Sequence, residues 1–340
     1  MSGAANPVTP PDITITADPE KLAEFEQRIS DGVLIEPGDW MPDSYRALML
    51  RMAEHHANSE IVGALPEGEW ITRAPSMLRK LALTAKVQDE VGHGQMLYRV
   101  SQELGKSRDD MLRDLVTGKT KYHNCFNYPC PTWADIAMIQ WLIDGAAIMN
   151  QKTLADGAYG PYVRTMNRIN MEEAFHFKSG EDMVLTLMSG TRGQKSMAQE
   201  AFDRWWPIAL MFFGPADKPN AEDLPPMKWR MKTERNDSLR QRFVNRFAPA
   251  AIDLGLIINV TTKDEHGLVT SATPDEELGL NQSTGNWSYT QPDWDEFWRV
   301  IRGNGPCNTQ RVALRRLSYE QGAWVRRAIG EGAVAVPPAA

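Results

Sequence analysis

The chain has 340 residues, of which 42% are hydrophobic and 24% are charged, a composition typical of a globular protein with a sizeable core. The net charge of −7 argues against a general nucleic-acid-binding role, and three cysteines exclude a disulfide framework and favour a reducing, cytoplasmic compartment. No apolar run is long enough to predict a transmembrane helix, so no membrane partner is expected.

The sequence predicts a series of helices with few strands. Residues 1–20, rich in proline, threonine and alanine, are expected to form a flexible tail, as is the segment 331–340. Pro66 and Gly68 are expected to end the first long helix, and a hairpin is expected within residues 258–291. The predicted helices begin and end, in chain order, near residues 43–65, 75–104, 132–159, 162–188, 194–213, 237–247, 294–301 and 308–329, and a short connecting helix is expected to begin with a capping box at 107–110.

Four long helices and a fifth follow one another without strands between them, which indicates an all-α helical bundle. We expect this bundle to occupy residues 21–213. Residues 214–330 begin with a proline-rich connection and contain further helices, so they are expected to form a C-terminal extension that packs on the bundle.

Two of the long helices contain the same motif, a glutamate three residues before a histidine. The pairs are Glu90 with His93 and Glu173 with His176, and both lie on the apolar face of their helix. Positions i and i+3 lie close together on a helix, so both side chains of a pair can reach one metal ion. A buried Glu–His hydrogen bond, or a helix rotated so that both groups are exposed, is the alternative for either pair.

The other two long helices each provide an acid that could complete the set. Asp144 is the only charged residue in the apolar stretch 136–151, where an acid must be protonated, paired or bound to metal. Packing or capping beside Gly145 is its alternative role. Glu60 lies between apolar residues of the first helix, with Glu54 as a rival in a more polar turn.

The four long helices thus carry, in order, one acid, a Glu-x-x-His motif, one acid and a second Glu-x-x-His motif. This is the pattern of a ferritin-like di-iron or di-manganese bundle. Four carboxylates balance the charge of two divalent ions, which makes the buried cluster tolerable. Oxygen and imidazole ligands suit Fe(II) or Mn(II) better than a metal that prefers thiolates.

The same residues lie within longer strings that resemble the catalytic subunits of bacterial ring-1,2-phenylacetyl-CoA epoxidases, which are multicomponent di-iron monooxygenases. The strings are IEPGDWMPDSYR, HHANSEIVGALPEGEWITRAP, KVQDEVGHG, WLIDGAAIMNQ, EEAFH and ALMFFGP, and the resemblance runs from about residue 34 to residue 329. The chain departs from the family in its N-terminal extension and in a longer segment at 261–290. The resemblance implies two iron ions with six catalytic ligands: Glu60, Glu90, His93, Asp144, Glu173 and His176.

The resemblance also implies the reaction. Phenylacetyl-CoA, O2 and a reduced nicotinamide would give ring-1,2-epoxyphenylacetyl-CoA and water. The chain has no glycine-rich nucleotide motif after a strand and too few cysteines for an ordinary iron–sulfur cluster. NADPH, FAD and an iron–sulfur cluster are therefore expected only in a separate reductase. A related ferritin-like structural subunit is the other implied partner, which predicts a hetero-oligomer.

An acidic chain that binds a CoA ester needs a local group of cations for the phosphates. The candidates lie in regions that, by the resemblance, face the CoA moiety. The alternative for each cation is that it is an ordinary solvated charge on the surface. The candidate CoA-binding residues are Arg51, His55, Lys121, Tyr122, Asn124 and Lys232.

Four other functions remain open at this point. A metal-free scaffold subunit would have lost ligands, and all six are present here. An iron-storage or ferroxidase protein would not need the basic loop or the C-terminal extension. A radical-generating subunit would need a tyrosine beside the metal, which a sequence cannot place. An oxygenase acting on a different aromatic acyl-CoA is the nearest alternative, because pocket shape cannot be read from the sequence.

Overall fold

The computed structural model describes residues 18–328, and most of them lie in helices. The all-α prediction is therefore confirmed. The α-helices are α1 (Pro19–Ser30), α2 (Asp43–Trp70), α3 (Met77–Glu103), α4 (Arg108–Val116), α5 (Trp133–Met138), α6 (Asp144–Ala155), α7 (Gly160–Met188), α8 (Arg192–Met211), α9 (Pro225–Lys228), α10 (Asn236–Asp253), α11 (Trp294–Arg299), α12 (Asn308–Gln321) and α13 (Ala323–Ala328).

The four long helical segments predicted to carry metal ligands pack together as a bundle. Helix α2 packs along α3, and α6 packs along α7, while α3 also contacts α7. A π-helical turn, Ile139–Ile143, joins α5 to α6 and also contacts α7. This bundle therefore brings Glu60, Asp144 and the two Glu-x-x-His motifs into one region.

The π-helical turn owes its position to a glycine on α7. A Cβ atom at Gly180 would lie 2.4 Å from backbone atoms of Gln140 and Trp141, so only glycine allows α7 to approach this closely. The turn ends directly before Asp144, the first residue of α6. The close approach at Gly180 therefore lies next to the segment that carries this acid.

Buried apolar residues form two main groups, one among α5, α6, α8 and α10 and the other among α1, α2 and α3. Helices α3 and α7 contribute to both groups. On α3, Leu83 belongs to the first group and Leu97 to the second, and on α7 Met183 and Ile169 do the same. The Glu-x-x-His motifs lie between these positions, so both motifs are held by packed apolar side chains on either side.

The hairpin expected within residues 258–291 is present, and a second one follows it. Strands β1 (Asn259–Lys263) and β2 (Val269–Pro274) pair antiparallel, with Asn259 opposite Pro274 and a bulge near Lys263. Strands β3 (Gly279–Asn281) and β4 (Asn286–Ser288) form the second antiparallel pair. These short strands are mostly exposed and do not alter the helical class.

The structure places Pro66 inside α2, so the prediction that this proline ends the helix is wrong. Proline removes one backbone donor and normally kinks or ends a helix. Here tertiary contacts hold the following turn. The Glu67 carboxylate accepts a hydrogen bond from Lys86 at 2.8 Å, and the Trp70 indole donates to the Cys130 carbonyl at 3.0 Å.

Helix α1 begins at Pro19, so the last residues of the stretch 1–20 predicted as a tail are helical. Asp18 caps this helix, and Phe25 and Ile29 are buried in the core, which explains why it forms. The rest of the predicted tail, residues 1–17, lies outside the described residues. The predicted C-terminal tail, 331–340, lies outside them as well.

The helices of the predicted C-terminal extension contact the bundle. Helix α10 packs against α6 and α8, while α12 packs against α2 and α4. The division of the chain into a bundle at 21–213 and an extension at 214–330 stays a prediction. No helix among the described residues combines the length and apolar character that crossing a membrane requires.

Candidate metal centre

Helices α2, α3, α6 and α7 bring the six candidate ligands together in two overlapping clusters. Within each cluster the ligand atoms all lie within 4.8 Å of one another, and all six residues are buried. Glu90 and Glu173 belong to both clusters. The clusters are Glu60, Glu90, His93 and Glu173, and Glu90, Asp144, Glu173 and His176.

The inner nitrogens of both imidazoles face carboxylate oxygens. Nδ1 of His93 lies 3.4 Å from Glu173 Oε1, and Nδ1 of His176 lies 3.4 Å from Glu90 Oε1. The Nδ1 atom of His93 is buried and has no hydrogen-bond partner among the described residues. A buried imidazole nitrogen that lacks a partner and faces acidic oxygens fits a metal-binding role.

The outer nitrogens of the same imidazoles are held by acids from the opposite helix. Nε2 of His93 lies 2.9 Å from Glu172, and Nε2 of His176 lies 3.2 Å from Asp89. Metal-binding histidines commonly have such a carboxylate on their second nitrogen, which fixes the ring orientation. Sequence analysis missed both acids, although each directly precedes the glutamate of a Glu-x-x-His motif.

Burial and mutual repulsion perturb the carboxyl groups of the cluster. Burial raises the pKa of Glu60 well above its usual range, and the charge of Glu90 adds to the rise. Burial likewise raises the pKa of Asp144. Burial also opposes ionisation of Glu90, but the Lys86 ammonium and His93 bring its pKa well below the usual range. The metal-free cluster therefore retains protons that bound cations would displace.

The two histidines are also expected to be protonated when no metal is bound. Burial opposes their charged forms, but the nearby carboxylates of Glu173 and Glu90 raise the pKa of His93 to about 11. The hydrogen bond to Glu173 overcomes burial at His176 and raises its pKa to about 9. Both imidazoles must lose a proton before they bind a metal.

A buried lysine lies among the ligands, and sequence analysis did not predict it. Nζ of Lys86 is 2.8 Å from Glu67, 2.5 Å from Glu90 and 3.2 Å from Asp144. Glu67 adds one negative charge to the site and Lys86 adds one positive charge. The charges of Glu67 and Lys86 therefore cancel, and the four candidate carboxylates still carry the charge that would balance two divalent ions.

A cavity of about 210 Å³ opens directly onto the clusters, and Glu60, Glu90, Asp144 and Glu173 line its polar side. Its other walls are largely apolar, as a site for an aromatic ring requires. The large apolar residues that line it are Met52, Phe126, Ile143, Leu154, Phe212 and Phe213.

Two of the six candidate CoA-binding residues, His55 and Lys232, line this cavity. Burial lowers the pKa of Lys232 to about 8, and its ammonium donates a hydrogen bond to Asn236. Gln151 was not predicted, but it also lines the cavity, and its side-chain oxygen has no partner among the described residues. That oxygen is available to accept a hydrogen bond from a ligand.

The structure does not place the other four candidate CoA-binding residues among those that line the cavity. Arg51 is exposed, and the ammonium of Lys121 packs against Gly303. The Tyr122 hydroxyl donates to Asn127 at 2.7 Å. Asn124 is fully buried, and its amide has no partner among the described residues. Their contact with CoA stays a prediction.

The rival acid Glu54 lies elsewhere. Its carboxylate accepts hydrogen bonds from Lys106 at 2.7 and 2.9 Å, and the same ammonium reaches Asp114 at 2.7 Å. This ion-pair network links α2 to α4 and does not contribute to either cluster of candidate ligands. Of these two rivals on α2, Glu60 belongs to a cluster of candidate ligands and Glu54 does not.

Residues 17–324 match the phenylacetic acid catabolic protein family. This chain belongs to that family. It is 45% identical over 304 residues to one of the subunits of the 1,2-phenylacetyl-CoA epoxidase of Escherichia coli (strain K12), a match that covers 89% of this chain and 94% of that protein. The family resemblance noted in the sequence is thus confirmed.

A second similarity covers much less of the chain. It is to (-)-germacrene D synthase from Origanum vulgare, with 30% identity over 100 residues, 27% of this chain and 18% of that protein. A match of this extent carries no argument about fold or activity. The membership in the phenylacetic acid catabolic family rests on the matches that span most of the chain.

Proposed function

We propose that this chain is the catalytic subunit of a di-iron monooxygenase that epoxidises the aromatic ring of phenylacetyl-CoA. The observation that carries the proposal is the pair of clusters that share Glu90 and Glu173 and open onto a cavity with apolar walls. The activity for which the 45% identical relative is named supports the choice of substrate.

The donor set fits iron. Four buried carboxylates and two imidazoles are the ligands that suit Fe(II), and no cysteine belongs to either cluster. The proposed ligands are Glu60, Glu90, His93, Asp144, Glu173 and His176. Two bound iron ions would supply the O2 chemistry that delivers one oxygen atom to the ring and releases the other as water.

The protein's own part in this reaction is to hold the ring and exclude water. Phe126, Phe212 and Ile143 form walls close to the ligands, where a phenyl group can pack. Lys232 and His55 line the same cavity and are placed to contact the polar acyl-CoA chain. These contacts would orient the ring towards the irons and keep bulk water from the reacting atoms.

A reductase and a related helical subunit complete the proposed assembly, since the electrons must come from outside this chain. Exposed apolar side chains on α3 and α7 support the presence of a partner protein, because Leu78 is 74% exposed and Met171 is 64% exposed. The same two helices also expose Met77, Leu81 and Phe175. We expect the complex to act in the cytoplasm, which suits its three free thiols.

The test is turnover with isotopically labelled oxygen. The purified chain is combined with the other subunits, the reductase, NADPH and 18O2, and is given phenylacetyl-CoA, free phenylacetate or an aliphatic acyl-CoA. The proposal predicts an epoxide that carries one labelled atom, formed only from the aromatic thioester. An unlabelled product, or equal turnover of the free acid, would contradict it.

A further inference from the structure

A tyrosine on one helix contacts a histidine on another helix, and this histidine contacts one of the proposed metal ligands. His56 lies four residues before Glu60 on α2, and its Nε2 atom is 2.8 Å from Glu60 Oε1. Its Nδ1 atom is 2.7 Å from the hydroxyl group of Tyr162, on α7. Both side chains line the cavity, and Tyr162 is almost fully buried.

The direction of the hydrogen bond between His56 and Tyr162 follows from the tyrosine. Burial raises the pKa of Tyr162, so its hydroxyl keeps its proton. Among the described residues the hydroxyl has no hydrogen-bond partner besides His56. If Nδ1 carried a proton, the buried phenol proton would have no acceptor, which is costly. Nδ1 therefore accepts, and the single proton of the neutral imidazole lies on Nε2, the atom that is 2.8 Å from Glu60 Oε1.

We propose that His56 is a positioning residue that fixes the orientation of the Glu60 carboxylate, and that Tyr162 sets the tautomer His56 needs for this role. The inference rests on the proposed metal centre. With Oε1 held by His56, the other oxygen of Glu60 is the one that faces the cluster, 3.9 Å from Nδ1 of His93. His56 thus orients Glu60 so that its second oxygen, Oε2, is available to bind the metal.

This arrangement has a specific energetic consequence. A glutamate side chain has three rotatable bonds. Ordering a side chain that is not already held costs conformational entropy, which reduces the free energy of metal binding. The 2.8 Å contact between His56 Nε2 and Glu60 Oε1 holds the side chain in place before the metal binds. Loss of a hydrogen-bonding partner behind a ligand typically costs about 10- to 100-fold in metal affinity, and we expect a loss of that size here.

The tautomer can be measured on the metal-free full-length chain, without any assumption about activity. Histidines are labelled with 15N, and the His56 signals are identified by their absence from the His56→Gln variant. The proposal predicts the pattern of an imidazole protonated at Nε2 and bare at Nδ1. A proton on Nδ1 would overturn the assignment of donor and acceptor.

The positioning role is tested by Co(II) binding, followed by calorimetry and by the visible absorption of the bound ion. We expect His56→Leu to weaken binding of the cobalt held by Glu60 by roughly 10- to 100-fold and to alter its spectrum. His56→Gln places an amide donor near the position of Nε2 and should restore most of the affinity. Tyr162→Phe should have a smaller effect in the same direction.

Tyr45→Phe is the matched control. Tyr45 is buried, on α2 as is His56, and its hydroxyl has no partner among the described residues, so its removal should leave cobalt binding unchanged. Thermal unfolding of every variant separates loss of fold from loss of positioning. Wild-type affinity and spectrum in His56→Leu would overturn this inference alone. Absence of cobalt binding by the wild-type chain would overturn the metal centre and this inference together.

Discussion

The ammonium group of Lys86 lies 3.2 Å from the carboxylate of Asp144, among the proposed metal ligands. The same group forms a 2.8 Å ion pair with Glu67, and both partners are only 2% exposed. A buried cation within a cluster of acids compensates part of their charge when no metal is bound. Lysine and metal ions therefore compete electrostatically for the same carboxylates.

Replacement of Lys86 by methionine should have opposite effects on the two states of the site. Without metal, the free energy of unfolding should fall by about 3 kcal/mol, because Glu67 loses its buried partner. Divalent ions should bind more tightly, since one repelling charge is gone. Denaturant unfolding with and without Co(II) measures both effects. The double variant Lys86→Met with Glu67→Gln should recover stability, and a single variant as stable as wild type would contradict this account.

Metal binding should release protons. His93, with a pKa raised to about 11, and His176, with a pKa raised to about 9, are both protonated at pH 7 in the metal-free chain. Because both must be neutral to bind, and because burial raises the pKa values of Glu60 and Asp144, we expect at least two protons to be released and affinity to rise as the pH increases from about 6 to 8. Calorimetry with Co(II) in buffers of different ionisation enthalpy counts these protons. A heat that does not depend on the buffer would argue against this linkage.

A glycine sets the width of the cavity at Phe126. A Cβ atom at Gly63 would lie 2.7 Å from the Phe126 ring, so Gly63→Ala should push the ring into the space proposed for the substrate. We expect kcat/KM for phenylacetyl-CoA to fall by about 10- to 200-fold. Adding Phe126→Leu should restore part of the activity. Thermal unfolding should change little, because alanine favours the helix, and unchanged kinetics would show that the ring does not limit the cavity.

Two lysines that the sequence could not distinguish differ in the structure. Lys232 lines the cavity, whereas Lys121 packs against Gly303 and does not. Lys232→Ala should raise KM for the acyl-CoA by about 10- to 150-fold with a smaller change in kcat, as expected for a charged hydrogen bond. Lys121→Ala serves as the comparison and should have a weaker effect. The reverse order in steady-state kinetics would place the CoA group elsewhere.

The pKa of Lys232, lowered to about 8 by burial, adds a pH dependence to the same measurement. The ammonium is charged below this pKa and becomes neutral above it. KM should therefore rise as the pH passes through about 8 in the wild-type chain. This rise should be absent from Lys232→Ala, and a persistent rise would assign the titration to another group.

The parts of the site that the sequence could predict are local. The glutamate and histidine of each motif are three residues apart on one helix, so Glu90 and His93 necessarily share a face. Asp144 was readable as the only charge in a long apolar stretch. Both inferences need only helical periodicity and the cost of burying a charge.

The parts that could not be predicted depend on contacts between helices. Lys86 on α3 forms an ion pair with Glu67 on α2, and the sequence around either residue does not predict this contact. The continuation of α2 through Pro66 depends on contacts made by the turn that follows it. The π-helical turn before Asp144 depends on the absence of a side chain at Gly180, a position distant in the sequence.

The measurement that tests the central claim most directly is an anaerobic Fe(II) titration of the wild-type chain beside Glu90→Ala, Glu60→Ala and Asp144→Ala. We predict about two irons per wild-type chain, as in ferritin-like di-iron bundles. Glu90 belongs to both clusters, so its loss should weaken both ions, whereas Glu60→Ala and Asp144→Ala should each mainly weaken one. Fewer than one iron in the wild type, or full iron binding by Glu90→Ala with its helices intact, would contradict the di-iron centre.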